Sequence, residues 1–156
     1  MQLSRPPSPE EYEAAAATIE QWLDGELDGN PAVAAAQRDP DPDARRWMVR
    51  LNGEEKEVFT VWLDLRQRSL HAETQLVPAP LEPPEALWEY LLRSVDRLRS
   101  VALSIGAEEA VYARMELPIE FIDAAQLDRV LGSLHQSTEQ LFVPAMRLGF
   151  GDRFKR

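Results

Sequence analysis

The sequence predicts an α+β domain of element order αβββαββα, with a five-stranded antiparallel sheet and helices packed mainly on one face. Three observations lead there. In Phe59–Val77, Phe59, Val61, Leu63 and Leu65 alternate with Thr60, Trp62 and Asp64, and Leu70, Ala72, Thr74 and Leu76 alternate with His71, Glu73 and Gln75. That period of two marks a half-buried antiparallel pair. Three other stretches place apolar residues at helical spacing behind a cap or a proline. Finally, 156 residues suit one domain with a core of its own.

Taken in order, Ser8-Pro9-Glu10-Glu11 is a capping box with proline at the first helical position. It opens a helix whose buried stripe is Tyr12, Ala15, Ala16, Ile19, Trp22 and Leu23, and Asp24-Gly25 reads as its end. Residues 25–44 are rich in Gly, Pro and Asp and are expected to form a mobile linker or loop. Within it, Asn30-Pro31 could start a short helical turn, and the DPDPD run at 39–43 is stiff and solvated. Arg45–Leu51 is the first strand, with Trp47, Val49 and Leu51 on one face and Arg46, Met48 and Arg50 on the other. Asn52-Gly53 signals a hairpin.

The central pair follows, joined by Arg66-Gln67-Arg68-Ser69. A four-residue connection sets Leu65 opposite Leu70. Leu63–Ala72, Val61–Thr74 and Phe59–Leu76 then face the core, while Asp64–His71 and Trp62–Glu73 face outward. Prolines 78, 80, 83 and 84 break the sheet. Pro84-Glu85 begins a second helix through Arg99, with Leu87, Trp88, Leu91, Leu92, Val95 and Leu98 on a broad apolar face. Val101–Ile105 and Val111–Leu117 form a last hairpin, in which Tyr112, Arg114 and Glu116 point away from the core. Asp123 with Gln126 caps a third helix of roughly 25 residues. Pro144 is expected to kink or break it, and Gly149 to close it.

Composition removes several classes of function. With no Cys, thiol catalysis, disulfides and thiolate metal sites are excluded. A net charge of −10 argues against nucleic acid, which needs a clustered cationic face. No apolar run approaches the ~20 residues of a membrane helix, and MQLSRPPSPEEYE lacks the apolar centre of a signal peptide. A cytoplasmic protein is expected. The charge is uneven: residues 1–30 carry Arg5 against seven acids, a net of −6, whereas the tail Gly151–Arg156 carries +2.

No catalytic signature stands out, and no cofactor or metal is expected. His71 and Glu73, with Asp64 across the strand, form one small polar cluster, too thin a set for a metal. An Asp64–His71 cross-strand ion pair is the simpler reading. Ser69 reads as a turn residue that does not share a face with His71, and His135 lies apart on the third helix. No glycine-rich phosphate loop exists. Trp22, Trp47 and Trp88 fit core stripes, but Trp62 points away from the core, where an exposed tryptophan suggests a contact.

The chain also resembles the actinobacterial branch of the YbjN family. The likeness is carried by IEQWL at 19–23, VWLDLRQRSLHAET at 61–74, LWEYLLRSVDRL at 87–98, VALSI at 101–105, VYARMELP at 111–118, LDRVLG at 127–132 and RLGF at 147–150. It spans Ile19 to Phe150, so residues 1–156 read as a single domain of this kind. Where the family tends to carry Gly after the second helix this chain has Ser100, and the 25–44 insert looks longer than usual. The resemblance implies a fold like that of type III secretion chaperones and a small, often dimeric binding or regulatory protein without catalytic residues. Together these readings predict a non-enzymatic protein-binding module, chaperone-like or a regulatory adaptor, with an unidentified protein partner at Trp62, Tyr112, Arg114 and Met48. A homodimer contact is expected on the second helix at Leu87, Trp88 and Leu91. The alternative is a small-molecule-binding protein or weak enzyme with a pocket between helices and sheet.

Overall fold

A computed structural model describes residues 5–155. Met1–Ser4, which open the stretch read for a leader, and Arg156 of the basic tail lie outside the described residues. The chain runs α1 (Pro9–Gly29), β1 (Val33–Arg38), β2 (Arg46–Asn52), β3 (Val58–Leu65), β4 (Ser69–Val77), α2 (Glu85–Ser94), β5 (Ala102–Ile105), β6 (Val111–Pro118) and α3 (Ala124–Phe150). All strands pair antiparallel in one sheet of order β1-β2-β3-β4-β6-β5. The α+β class holds, with six strands rather than five.

The sixth strand lies in the segment expected to be a loop. Gly25 does not stop α1, which runs a further turn to Gly29. The stop is Asn30: its backbone N–H bonds the Glu26 carbonyl, its side-chain amide bonds the Glu26 carboxylate, and its side-chain oxygen accepts from the Ala32 N–H. That local hydrogen bonding turns the chain, and Val33–Arg38 then lies along β2. Only Val33 of this strand is fully buried.

The central register is as expected, with Leu65–Leu70, Leu63–Ala72 and Val61–Thr74 paired inward. The ladder ends there. β4 shifts register against β6 between Gln75 and Val77, and Phe59 and Leu76, expected to pair, enter different apolar clusters. The larger cluster places Ile19, Trp22 and Leu23 of α1 and Leu127, Val130 and Leu134 of α3 beneath β2, β3 and β4. The smaller joins Leu87 and Leu91 of α2 to Leu76, Val111, Leu141 and Ala145. Each fully buried Leu or Val contributes about 1.5–3 kcal/mol, so these stripes position the helix layer. Polar ties fix its angle: Trp22 donates from Nε1 to Asp128 Oδ1 at 2.8 Å, and the Tyr12 hydroxyl donates to the Leu65 carbonyl at 2.8 Å.

Other details differ from expectation. The Asn52-Gly53 turn is a five-residue loop, because Asn52 pairs with Val58. α2 is shorter than expected: the Ser94 hydroxyl bonds back to the Tyr90 carbonyl, and the chain tightens into a 3-10 turn at Val95–Arg97. Ser100 then adopts φ 61, the left-handed conformation glycine prefers. Pro144 sits inside α3 without ending it, and the helix closes past Phe150 at Gly151, with φ 55, rather than at Gly149.

The 53–57 loop is held from across the molecule. The Glu139 carboxylate of α3 accepts from the backbone N–H of Glu54 at 2.9 Å, Glu55 at 2.7 Å and Lys56 at 3.4 Å. A Cβ at Gly53 would collide with that carboxylate and with the Lys56 carbonyl, so glycine is required there. Lys56 turns inward, donating to the carbonyls of Gln75 at 2.6 Å and Leu76 at 3.2 Å, with its ammonium 5.9 Å from the Phe59 ring and 5.3 Å from that of Phe142. Desolvation pushes its pKa down to about 8.

Candidate functional site

Because the inward residues of every strand go to the helix layer, the alternate residues form a second face that no helix of the described residues covers. Strand register arranges it in rows. One row reads Gln37, Met48, Trp62, Glu73, Arg114 and Ala102 across the six strands; the next places Arg46, Asp64, His71 and Glu116 side by side. Trp62, Met48 and Tyr112 are half-buried and Arg114 is exposed. The four residues expected at a partner surface therefore share this face, with Tyr112 one row away, opposite Gln75 and Ser104.

Around Trp62 the face forms a hollow of about 290 Å³. The Arg46 guanidinium lies 4.3 Å from the Trp62 ring centroid, a diagonal cross-strand contact. Arg114 pairs with Glu73 at 3.3 Å, and its guanidinium lies 5.3 Å from the Tyr112 ring. Tyr112 also donates to Glu108, and that bond raises its phenol pKa. Alternation alone places Arg46 only on the polar side of a strand. Its role was legible only once the β2–β3 register put it diagonal to Trp62.

The expected Asp64–His71 ion pair does not form, although the two residues stand directly opposite. Asp64 turns to Arg66, at 3.0 Å, while His71 Nε2 faces Glu116 at 3.6 Å. Ser69 also departs from expectation. It is the first residue of β4, two before His71 and therefore on the same face, with its hydroxyl 3.2 Å from His71 Nε2 and 2.7 Å from Glu116 Oε1. Serine, histidine and glutamate thus meet, but not as a catalytic relay. A relay needs serine and carboxylate on opposite ring nitrogens, whereas both Ser69 and Glu116 approach Nε2. The Ser69 hydroxyl, buried to 7% exposure, donates to Glu116 and accepts from the imidazole. Among the described residues no three His, Cys, Asp or Glu side chains gather where a metal ion could be held.

Two of the three residues expected at a dimer contact are core residues. Leu87 is 0% and Leu91 4% exposed, packed against α3 and the sheet. The helix turns them inward at i and i+4; Trp88 is half-buried at the edge of the same cluster, and Leu92, 76% exposed, is the large apolar side chain of α2 that faces outward. Elsewhere, a groove of about 570 Å³ runs between the end of α1, α3 and β2, lined by Gly25, Gly29, Leu51, Leu131, Gly132 and His135. His135 is held there by the Asn52 carbonyl, 2.9 Å from Nε2. No helix of the described residues is long and apolar enough to cross a membrane.

Comparison with known proteins agrees with the fold. The profile of the YbjN family, described as "Putative bacterial sensory transduction regulator", matches residues 15–145. Uncharacterised proteins of Mycobacterium tuberculosis and Mycobacterium bovis are 28% identical over 109 residues, covering 70% of this chain and 60% of theirs. The chain thus spans about 60% of the length of these relatives. Among solved structures, a chain of the HopA1–SchA chaperone–effector complex matches with a TM-score of 0.57 at 14% identity, covering 86% of this chain and 97% of that one. A chain of the heterodimeric ExoU–SpcU complex from the type III secretion system of Pseudomonas aeruginosa matches with a TM-score of 0.55 at 18% identity, covering 81% and 96%.

Proposed function

The chain belongs to the YbjN family, and from that premise we propose that it is a non-enzymatic protein-binding module, a chaperone-like or regulatory adaptor of the cytoplasm. The observation that carries this reading is the uncovered sheet face with Trp62 in its middle rows, beside Met48 and near Arg114 and Tyr112. Aromatic, Met and Arg side chains are the types that interfaces concentrate, and a few of them carry most of the binding energy. The likeness to a chain of a chaperone–effector complex supports the same reading. Trp62→Ala tests it. Capture of the partner by the purified protein should be lost while the melting temperature stays within roughly 3 °C of wild type, since the indole lies outside the core. Unimpaired capture, or a strongly destabilised variant, would overturn it.

We propose in addition that the protein is a homodimer, the commonest oligomeric form. With Leu87 and Leu91 buried in their own core, the contact moves to the outward side of α2, at Leu92 and Trp88. Light scattering at micromolar concentration decides this, and a mass near 17.7 kDa would end the dimer. A second reading, a small-molecule-binding protein or weak enzyme, has the groove of about 570 Å³ in its favour. Mass spectrometry of protein isolated from its own cells separates the two, because a bound metabolite favours the groove and a co-purifying protein the sheet face.

A further inference from the structure

We infer that the partner segment is acidic and extended: its carboxylates, four residues apart, pair with Arg46 and Arg50 along β2, while an apolar residue between them rests on Met48 and Trp62. This rests on the sheet face being the partner surface, and adds which chemistry that surface selects.

Arg66 is held by Asp64 and Arg114 by Glu73, and Glu116 is shared by Ser69 and His71. The carboxylates of the face are therefore already engaged. Two cations are not. Arg46 stacks on Trp62, and neither it nor Arg50 makes an ion pair or side-chain hydrogen bond among the described residues. Asp64 stands directly opposite Arg46 and is its natural acceptor, yet it turns to Arg66. The open valence of this face is cationic, on a chain whose formal charge is −10.

Geometry narrows the ligand further. Arg46 and Arg50 flank Met48 on one strand and point to the same face. Along an extended chain, four residues span about 13 Å at ~3.3 Å each. A second extended chain has the same repeat, so an acidic–x–apolar–x–acidic segment matches the Arg–x–Met–x–Arg run site for site. Stacking on the indole holds the Arg46 fork in place, so it gives up little freedom on forming a bidentate carboxylate pair. The helix layer discourages other approaches, because residues 1–30 carry a net −6 and repel an acidic segment from that side. A basic segment would have to displace Arg66 or Arg114 from the carboxylates they hold.

The test uses three labelled peptides, Ser-Glu-Thr-Leu-Thr-Glu-Ser and its versions with both Glu changed to Gln or to Lys, in fluorescence anisotropy with the full chain at low salt. The Glu peptide should bind at least tenfold more tightly than the Gln peptide, and the Lys peptide more weakly than either. Arg46→Gln, which leaves the core untouched, should bring the Glu peptide down to the Gln level, and Arg46→Lys should recover only part of the preference. Equal affinity for Glu and Gln peptides with binding still lost in Trp62→Ala overturns the acidic partner and leaves the sheet-face reading standing. An acidic preference that survives Arg46→Gln also overturns it. Tighter binding of a labelled ten-nucleotide oligothymidylate than of the Glu peptide assigns the cations to phosphate and overturns it as well. Binding of none of the peptides defeats both the acidic partner and the face as a peptide site.

Discussion

Lys56 offers a direct measure of how the tip of the β2–β3 hairpin is packed. Its ammonium is withdrawn from water between β4 and α3, which lowers its pKa from the ordinary 10.5 to about 8. The unfolded chain keeps that proton up to 10.5. Between pH 8 and 10.5 the unfolded state therefore binds more protons than the native state, and stability rises with pH across that window. Below pH 8 both states are charged, and the native state bears the full desolvation. The difference in proton affinity corresponds to about 3 kcal/mol, at roughly 1.4 kcal/mol per tenfold. The interval from pH 7 to 10 covers most but not all of the titration, so a gain of about 1–3 kcal/mol is expected. Lys56→Met keeps the shape and removes the proton. Urea unfolding of both proteins at pH 7, 8.5 and 10 should give a wild-type-minus-variant stability that climbs by that amount. Tyr12 and Tyr112, whose phenols are raised by burial and by the bond to Glu108 respectively, titrate in both proteins and cancel. A difference that stays flat, or falls with pH, would refute the desolvated ammonium.

Three further outcomes are expected. Leu63→Asp places a carboxylate at a fully buried central-strand site, at a cost of several kcal/mol against a total stability of about 5–15, and should unfold the protein; a cooperative melt by circular dichroism would contradict the register. His71→Ala removes the contacts of Nε2 with Glu116 and the Ser69 hydroxyl, but Ser69 keeps its own bond to Glu116, so it should cost under about 1 kcal/mol. Added Zn²⁺ should raise the melting temperature of neither protein, since a tight site would stabilise as RT ln(1 + [L]/Kd). Ser100, at φ 61, should accept Gly with stability unchanged or raised by up to ~1 kcal/mol, whereas Ser100→Val should lose about 1–2 kcal/mol; equal stability of the two variants would show that the left-handed backbone is not held.

The parts of the fold legible in the sequence were those written in large apolar side chains. Phe59 to Leu76 alternates over both strands, so a short turn between them leaves little freedom in pairing, and the observed Leu65–Leu70 register follows. β1 was hidden for the opposite reason. Its residues, VAAAQR, include three alanines, which are depleted in strands, and it pairs because β2 offers an open edge that Val33 anchors over Leu51. Gly25 misled as a stop signal because its φ is not positive and a helix tolerates it at modest cost; the stop lies at Asn30. On the candidate site, the outward placement of Trp62, Met48, Tyr112 and Arg114 followed from alternation alone. The pairing of charges did not, since opposition across strands decides which side chains are neighbours but not which carboxylate each arginine takes. The broad apolar face of α2 likewise exceeds what one sheet contact needs because α3 also packs against Leu87 and Leu91.

The carboxylate that caps the 53–57 loop arrives late. Glu139 lies 85 residues after Glu54, its first backbone donor. At a synthesis rate of about 5–20 residues per second, Glu54 is made roughly 4–17 s before the side chain that will satisfy its amide. Through that interval the loop amides must rely on water, and Lys56 has no Phe142 ring to lie against. The tip of the β2–β3 hairpin therefore cannot reach its final packing before α3 has been made.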